Sequence, residues 1–239
     1  MVQNSSFKNI FYQPLITDGV HHLDAEESRH CIKVLRRSNG DHVRITDGKG
    51  KFYTARITDA SPTQCVFEIE EVIPVARDPY SIHIAIAPTK NAERIEWFVE
   101  KAVELGIDSI TLVNCKNSER TYQKIERLHK VAVSAMKQSL KAFLPVINPL
   151  SELEAVIKNT TAQGRYIAYV DASNPDHLRS VAKRGQDYLV LIGPEGDFND
   201  AELNLALNHG FAKVSLGPSR LRTETAGLAA CHILNLLNN

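Results

Sequence analysis

The chain has 239 residues, 43% hydrophobic and 23% charged, with 28 basic and 28 acidic side chains. Such usage is ordinary for a soluble globular protein long enough for two domains, and no apolar run approaches the ~20 residues needed to span a bilayer. The start, MVQNSSFKNIFYQP, lacks a basic stretch leading into an apolar core and so does not read as a secretory leader. The cysteines Cys31, Cys65, Cys115 and Cys231 are far apart, which argues against a zinc knuckle or disulfide framework. A reduced, cytoplasmic, metal-free protein with no membrane partner is expected.

In chain order, AEESRHCIKVL (25–35) predicts a short helix. The next stretch, GDHVRITDGKGKFYTARITDASPTQCVFEIEEVI, alternates apolar and polar residues at Val43 and Ile45 and again at Phe67 and Ile69. Turn signals appear at DGKG and ASPT. This is the period of half-buried antiparallel strands in hairpins, and a compact β-barrel of about 70 residues is expected. IPVARDPY (73–80) carries two prolines between unlike patterns and marks a domain boundary, dividing 1–73 from 74–239.

Beyond it, SIHIAIA (81–87) reads as a buried strand and NAERIEWFVEKAVELG (91–106) as a helix. Asn91 caps the helix start, Gly106 ends it, and Ile95, Phe98, Val99, Ala102 and Leu105 form its apolar face. SITLVNC (109–115) is the next strand. A helix over 121–141 follows, with Ile125, Leu128, Ala132, Ala135 and Met136 on one stripe and Lys130, Ser134, Lys137 and Lys141 on another face. Helices near 151–158, 176–183, 199–208 and 223–237 alternate with strands at 165–170, 187–193 and 213–216. Such alternation implies βαβ units and a parallel sheet.

Charge is uneven along the neutral chain. Between Arg29 and Arg56, eight basic residues face two acidic ones, and between Lys116 and Lys141 seven face two. Two readings stand: a phosphate-rich partner, or solvated faces balanced by neighbours such as Glu68, Glu70 and Glu71.

Two strands end in Gly-Pro turns that pass into helices: LIGPEGDFND (191–200) and VSLGPSRLRTETAGLAA (214–230). In open parallel sheets ligands sit beyond the carboxyl ends of the strands, where both turns fall. Gly193, Gly196 and Gly217 allow close backbone approach, and Pro194 and Pro218 stiffen the loops. Neither GxGxxG nor GxxxxGK[ST] is present, so neither a Rossmann site nor a P-loop is supported. The plainer alternative is a pair of structural strand–helix turns with Thr223 as an N-cap.

These two blocks resemble the signatures of the RsmE family, the 16S ribosomal RNA uridine-N3 methyltransferases of the SPOUT superfamily. The resemblance extends through APTKNAERIEWFVEKAVELGI, NSERT, MKQSLKAFLP and RHCIKVLRRSNGD, in order and over nearly the whole chain. The chain departs from the pattern at Asp197, where the family usually has a second glycine, and at Lys141, where it often has an arginine.

The resemblance implies an α/β fold: an N-terminal PUA-like, RNA-binding β-barrel (1–73) and a C-terminal SPOUT methyltransferase domain (74–239) with a trefoil knot. It implies S-adenosylmethionine held by Leu191, Ile192, Gly193, Pro194, Glu195, Gly196, Leu216, Gly217, Leu221, Arg222, Thr223 and Ala226. Methyl transfer to N3 of a uridine in the small-subunit ribosomal RNA requires the N3 proton to leave. Arg222 and Glu224 are the catalytic candidates, for the anionic oxygen and the proton respectively. Against them stands a structural role, with Glu224 at a helix N-terminus and Arg222 paired to it. Phosphate contacts fall to Arg29, Lys33, Arg36, Arg37, Arg120, Lys124 and Lys141, the first four recurring at helical spacing. His30 reads as an RNA contact or a satisfied, partly buried ring. A homodimer is expected, with the apolar helix after Thr223 packing either a core or an interface.

Two rival functions stand beside this one. A ribose 2′-O or transfer-RNA methyltransferase of the same superfamily is disfavoured by the N-terminal barrel and the RTETA block. A ribosome-assembly factor with a vestigial cofactor site is disfavoured by the intact glycines.

Overall fold

The computed structural model describes residues 7–119, 124–169 and 176–239. They fall into two compact units. The first holds the chain up to Arg77 with Val133–Leu144; the second holds Asp78–Ala132 and Pro145–Asn239.

The first unit is built on a four-stranded sheet. Strand β1 (Ile10–Tyr12) runs parallel to β2 (His42–Thr46), and β2, β3 (Lys51–Asp59) and β4 (Val66–Pro74) pair antiparallel in sequence order. Val66 is bridged to Asp59 on one side and His22 on the other. Along β3, Tyr53, Ala55 and Ile57 are buried at every second residue, as half-buried strands require. They pack with Phe11, Ile45, Cys31, Cys65 and Phe67 into one core. Asp47 anchors the DGKG turn, accepting hydrogen bonds from the Lys49 and Lys51 amides (2.7 and 3.1 Å) and from the Tyr53 hydroxyl (3.2 Å). Burial, and then Asp47, push that hydroxyl up to about 12.

Helix α1 (Ala25–Arg29) is capped by Asp24, whose side chain accepts from the Glu27 amide (2.8 Å). It continues as a π-helical turn over His30–Val34, and the chain then leaves it with Arg36 at a left-handed φ of 54°. The four candidate cations Arg29, Lys33, Arg36 and Arg37 are all exposed, but they do not follow one helical stripe, because the helix widens and ends inside the motif. The His30 ring lies edge-on to Phe11. Buried Glu27 accepts from the Tyr12 amide (3.2 Å) and pairs with Lys137, so Lys137 is part of the unit's internal bonding.

The second unit is a six-stranded, all-parallel sheet. Its strands are β5 (Ser81–Ile86), β6 (Ser109–Asn114), β7 (Val146–Glu152), β8 (Gly164–Ala168), β9 (Asp187–Ile192) and β10 (Ala212–Val214), in the order β10-β8-β9-β5-β6-β7. The connecting helices are α2 (Ala92–Leu105), α3 (Ile125–Gln138, whose last turns belong to the first unit), α4 (Leu153–Asn159), α5 (Leu178–Val181) and α6 (Asp200–Asn208). Helix α7 (Thr223–Asn238) ends the chain. Helix α2 follows its sequence signals: the Asn91 side chain caps the Glu93 amide (2.9 Å), Gly106 adopts φ 101°, and Ile95, Phe98, Val99 and Ala102 are buried. Central β5 is buried at Ile82, Ile84, Ala85 and Ile86, as a parallel strand covered on both faces must be. Among the described residues, no helix is long and apolar enough to cross a membrane.

The helix expected near 151–158 begins later, as α4 at Leu153, because Val146–Glu152 form an edge strand, β7, that the sequence reading did not include. Pro149 is tolerated because the strand lies at the sheet margin. The last helix buries Gly227, Ala230, Cys231 and Leu234 and leaves Leu236 62% exposed. A side chain at Gly227 would put its Cβ 2.8 Å from Phe98 and 3.0 Å from Ile86, so the bare backbone lets α7 lie against α2 and β5. Gly227→Ala is expected to destabilise the fold by about 1–3 kcal/mol despite the better helix propensity of alanine, measured by denaturant unfolding.

His83, on β5, shares a 2.7 Å hydrogen bond with Thr111, and burial pushes its imidazole from the ordinary 6.5 down to about 4. The folded chain therefore keeps it neutral where the unfolded chain protonates it. Its contribution is complete above pH 6.5 and is lost as pH falls toward 4. The loss is on the order of 3 kcal/mol. Unfolding titrations across that window should show the slope in the wild type and a reduced one in His83→Gln.

Candidate functional site

The site forms where three strands of the second unit end. Ala168, Ile192 and Val214, the last residues of β8, β9 and β10, floor a cavity of about 750 Å³. Its walls are the two Gly-Pro turns. Gly193, Pro194, Glu195 and Asp197 come from the first, and the run Leu216–Thr223 with Ala226 comes from the second. A cavity of this size over the carboxyl edge of a parallel sheet is where small ligands bind in such folds.

Each turn is held by named contacts. Asp197 closes the first, its amide donating to the Pro194 carbonyl (3.0 Å) at φ 61°. This is the left-handed region, which explains why glycine suits the position; aspartate is among the few side chains that tolerate it. The Asp197 carboxylate accepts from the Phe198 amide (2.8 Å), and burial raises its carboxyl above the ordinary range. Asn117, from the loop after β6, donates to the carbonyls of Gly196 and Asp197 (both 3.1 Å). The Glu195 carboxylate accepts weakly from the Lys90 amide (3.4 Å), which ties the loop after β5 to the same turn. Glu202 completes a capping box with Asn199 on α6 and also accepts from the Lys116 amide (2.8 Å). In the second turn Gly217 takes φ 132°, and the Ser215 hydroxyl bonds both its amide and its carbonyl (3.1 Å each).

The turns are joined directly. The Thr223 hydroxyl donates to the Gly193 carbonyl (3.1 Å). Thr223 is therefore not the N-cap of α7: it is the first helical residue, and Arg222 occupies the cap position without a side-chain capping bond. The hydroxyl spans the turns and so cannot serve its own helix end.

Ten of the twelve residues expected around a cofactor line this cavity: Ile192, Gly193, Pro194, Glu195, Leu216, Gly217, Leu221, Arg222, Thr223 and Ala226. Leu191 does not; it is fully buried inside β9. Gly196 does not either, and its bare backbone accommodates Asn117, whose Cβ would lie 3.1 Å from an added methyl. The cavity is also lined by Ala168, Asp197, Val214, Pro218, Ser219 and Arg220, which were not among the expected cofactor contacts; the signal for them was their place in or beside the turns.

A second cleft, of about 520 Å³, shares Arg220, Leu221 and Arg222 with the first and is completed by Asn91, Glu93, Arg94, Trp97, Glu224 and Thr225. Arg222 thus lines both cavities and Glu224 only the second. The Glu224 side chain is 8% exposed. Its ion partner is Arg94, on α2 (Nε–Oε1 3.8 Å), rather than the neighbouring Arg222. Its Oε2 is buried and has no hydrogen-bond partner among the described residues. Of the expected RNA contacts in the 116–141 stretch, Lys124 is exposed and precedes α3, Lys141 is half-buried, and Arg120 lies outside the described residues. Among the described residues, no group of three or more His, Cys, Asp or Glu side chains could hold a metal ion.

A parallel α/β domain with its cavity between two glycine-bearing turns defines a small-ligand-binding domain of the doubly covered sheet class. Residues 76–235 match the family described as RNA methyltransferase domain, and residues 23–70 match RNA methyltransferase PUA domain. The chain belongs to this RNA methyltransferase family. It is 46% identical to a probable rRNA-methyltransferase from Porphyromonas gingivalis, with a TM-score of 0.90 over 96% of this chain and 98% of that one. It is 28% identical to a putative methyltransferase from Legionella pneumophila solved with the bound cofactor SAM, with a TM-score of 0.84 over 96% and 97% of the two chains. It is also 24% identical to ribosomal RNA small subunit methyltransferase E of Buchnera aphidicola, over 99% of this chain and 96% of that protein.

The Asp197 backbone gives a direct test of the first turn. Asp197→Val should destabilise by about 2 kcal/mol, because a β-branched residue is strained at that φ. Asp197→Gly should stay within about 1 kcal/mol of wild type, since relief of strain offsets the lost Phe198 contact. Thermal unfolding of the pair measures the difference.

Proposed function

We propose that this protein transfers a methyl group from S-adenosylmethionine to N3 of a uridine in the 16S ribosomal RNA of the small subunit. The observation that carries the reading is the cavity between the two joined turns, in a chain of the RNA methyltransferase family. Its residues suit the cofactor. Ile192, Val214, Leu216, Leu221 and Ala226 offer apolar faces to a purine ring, and Gly193 and Gly217 allow backbone polar groups to approach its edge. Glu195 and Asp197 supply carboxylates beside a cationic ligand. When bound, S-adenosylmethionine supplies an electrophilic methyl group and departs as the neutral thioether once N3 has taken it.

The protein's own task is to hold the uracil and manage its proton. The Glu224 carboxylate takes the N3 proton, and the Arg222 guanidinium stabilises the anionic uracil oxygen, reaching the reacting base from the wall the two cavities share. N3 lies on the Watson–Crick edge, so the base enters unpaired or flipped out. Arg29, Lys33, Arg36 and Arg37, with Arg120, Lys124 and Lys141, hold the RNA backbone by phosphate contacts. Residues 1–73 act as the PUA-like RNA-binding barrel and 74–239 as the SPOUT methyltransferase domain. Strand β10 lies at the sheet edge, whereas α7 returns to β5. A trefoil knot in this crossing connection is part of the proposal. Two copies associate, and the exposed Leu236 on α7 supports that helix as part of the interface.

The test is methylation of small ribosomal subunits from a strain lacking the enzyme, with the product mapped by nucleotide and cofactor binding followed by calorimetry. The wild type should bind S-adenosylmethionine and yield N3-methyluridine at one position. Glu224→Gln should keep cofactor binding and lose about a hundredfold in single-turnover rate. Methylation of a ribose 2′-hydroxyl, or no heat with S-adenosylmethionine, overturns the reading.

A further inference from the structure

The cleft beside the cofactor cavity carries more than the two groups assigned to the chemistry above, and three features bear on what it recognises. Trp97, the chain's only tryptophan, stands 42% exposed on its wall although it sits on a helix that buries Ile95, Phe98, Val99 and Val103. The Glu224 carboxylate is more than nine-tenths buried, is held at Oε1 by Arg94, and has Oε2 unsatisfied. A buried carboxylate oxygen without a donor is costly unless a ligand supplies one. Asn91 lines the cleft with its carbonyl oxygen already committed to the Glu93 amide, which leaves its NH₂ as a donor.

We propose that this cleft is the acceptor-base subsite, in which Trp97 stacks on the target uracil and Glu224 selects it against cytosine. The inference rests on the methyltransferase reading above. Uracil presents acceptor, donor, acceptor along its Watson–Crick edge, at O2, N3–H and O4. The cleft lining holds the complementary groups: the Glu224 carboxylate as acceptor, and Asn91 and Arg222 as donors. Cytosine carries a lone pair at N3, which the same carboxylate repels. An exposed tryptophan face supplies sequence-tolerant stacking, and the carboxylate supplies the choice of base. Arg94 is a positioning residue: it pairs with one carboxylate oxygen, and the other is the one left without a donor.

Because Trp97 is the sole tryptophan of this chain, the chain reports on the subsite by its own fluorescence. In the presence of S-adenosylhomocysteine, it is titrated with a short single-stranded RNA containing one uridine. Matched RNAs carrying cytidine or N3-methyluridine at that position serve as comparisons. Uridine should quench Trp97 saturably and bind about tenfold or more tighter than either. Glu224→Gln, an amide that both donates and accepts, should bring uridine and cytidine within about threefold of each other. Arg94→Ala should lower kcat with the KM for RNA changed less and cofactor affinity unchanged, and Arg94→Lys should restore most of the rate. Trp97→Ala should instead raise the KM for RNA about tenfold, and Trp97→Phe much less. Equal quenching by uridine and cytidine, unchanged preference in Glu224→Gln, or fluorescence that follows protein concentration rather than RNA overturns the subsite. The last outcome would give Trp97 to a second copy of the chain. If the wild type methylates N3 while these results fail, the subsite falls and the function stands; if it methylates no ribosomal RNA, the function itself falls.

Discussion

The missing side chain at Gly227 fixes the catalytic unit's arrangement. With a Cβ there, α7 would meet Phe98 and Ile86 at distances that packed interiors do not allow, and the helix would have to lift from β5 and α2. Everything at its N-terminus depends on that seat. Thr223 reaches the Gly193 carbonyl because α7 begins where it does, and that hydrogen bond joins turns that follow β9 and β10, strands separated by β8. One close helix contact thereby sets the mouth of the cavity.

Charge tells a similar story of position over composition. The first basic run looks strongly positive along the chain, but β3 and β4 place Arg56 against Glu68 and Glu70 (2.6 and 3.1 Å), and His42 meets Glu70 as well. Lys137, read from the sequence as part of a polar helix face, is taken up by buried Glu27. Arg29, Lys33, Arg36 and Arg37 remain exposed on the turn after α1, and Lys8, Lys49 and Lys51 are exposed elsewhere in the same unit. The exposed ion pairs contribute little to stability because solvent screens them. Their effect is to remove positive charge from one face, so that the balance of the first unit is local and cannot be read from the run of residues.

The sequence made some parts of this structure legible and hid others for physical reasons. Helix α2 was readable because its start and stop are local chemistry, Asn91 capping an amide and Gly106 adopting a left-handed φ. The two Gly-Pro turns were readable because only certain residues permit such bends, and most of the residues expected around them do line the cavity. Strand β7 was hidden because its margin position tolerates a proline and polar residues that a central strand would refuse. The π-helical turn after α1 was hidden because a widened turn carries no distinct periodicity over five residues. The partner of Glu224 was hidden most deeply. Arg94 lies on a helix far upstream, and nothing near Glu224 in the chain points to it, whereas the adjacent Arg222 is the obvious and mistaken choice.

That mistaken pairing shows how the unit uses a short segment twice. Residues 220–222 form a wall common to two cavities, with the cofactor turn on one side and the α2–α7 cleft on the other. If Arg222 were bound to Glu224, its charge would be spent inside one cavity. Arg94 holds Glu224 instead, so Arg222 remains exposed at the head of α7 and lines both spaces. A wall only three residues thick also couples the two shapes: what shifts the backbone between Gly217 and Thr223 changes both cavities at once. The Thr223–Gly193 bond at one end and the Ser215–Gly217 bonds at the other limit that shift, which is why these small polar side chains matter to a site whose chemistry they do not perform.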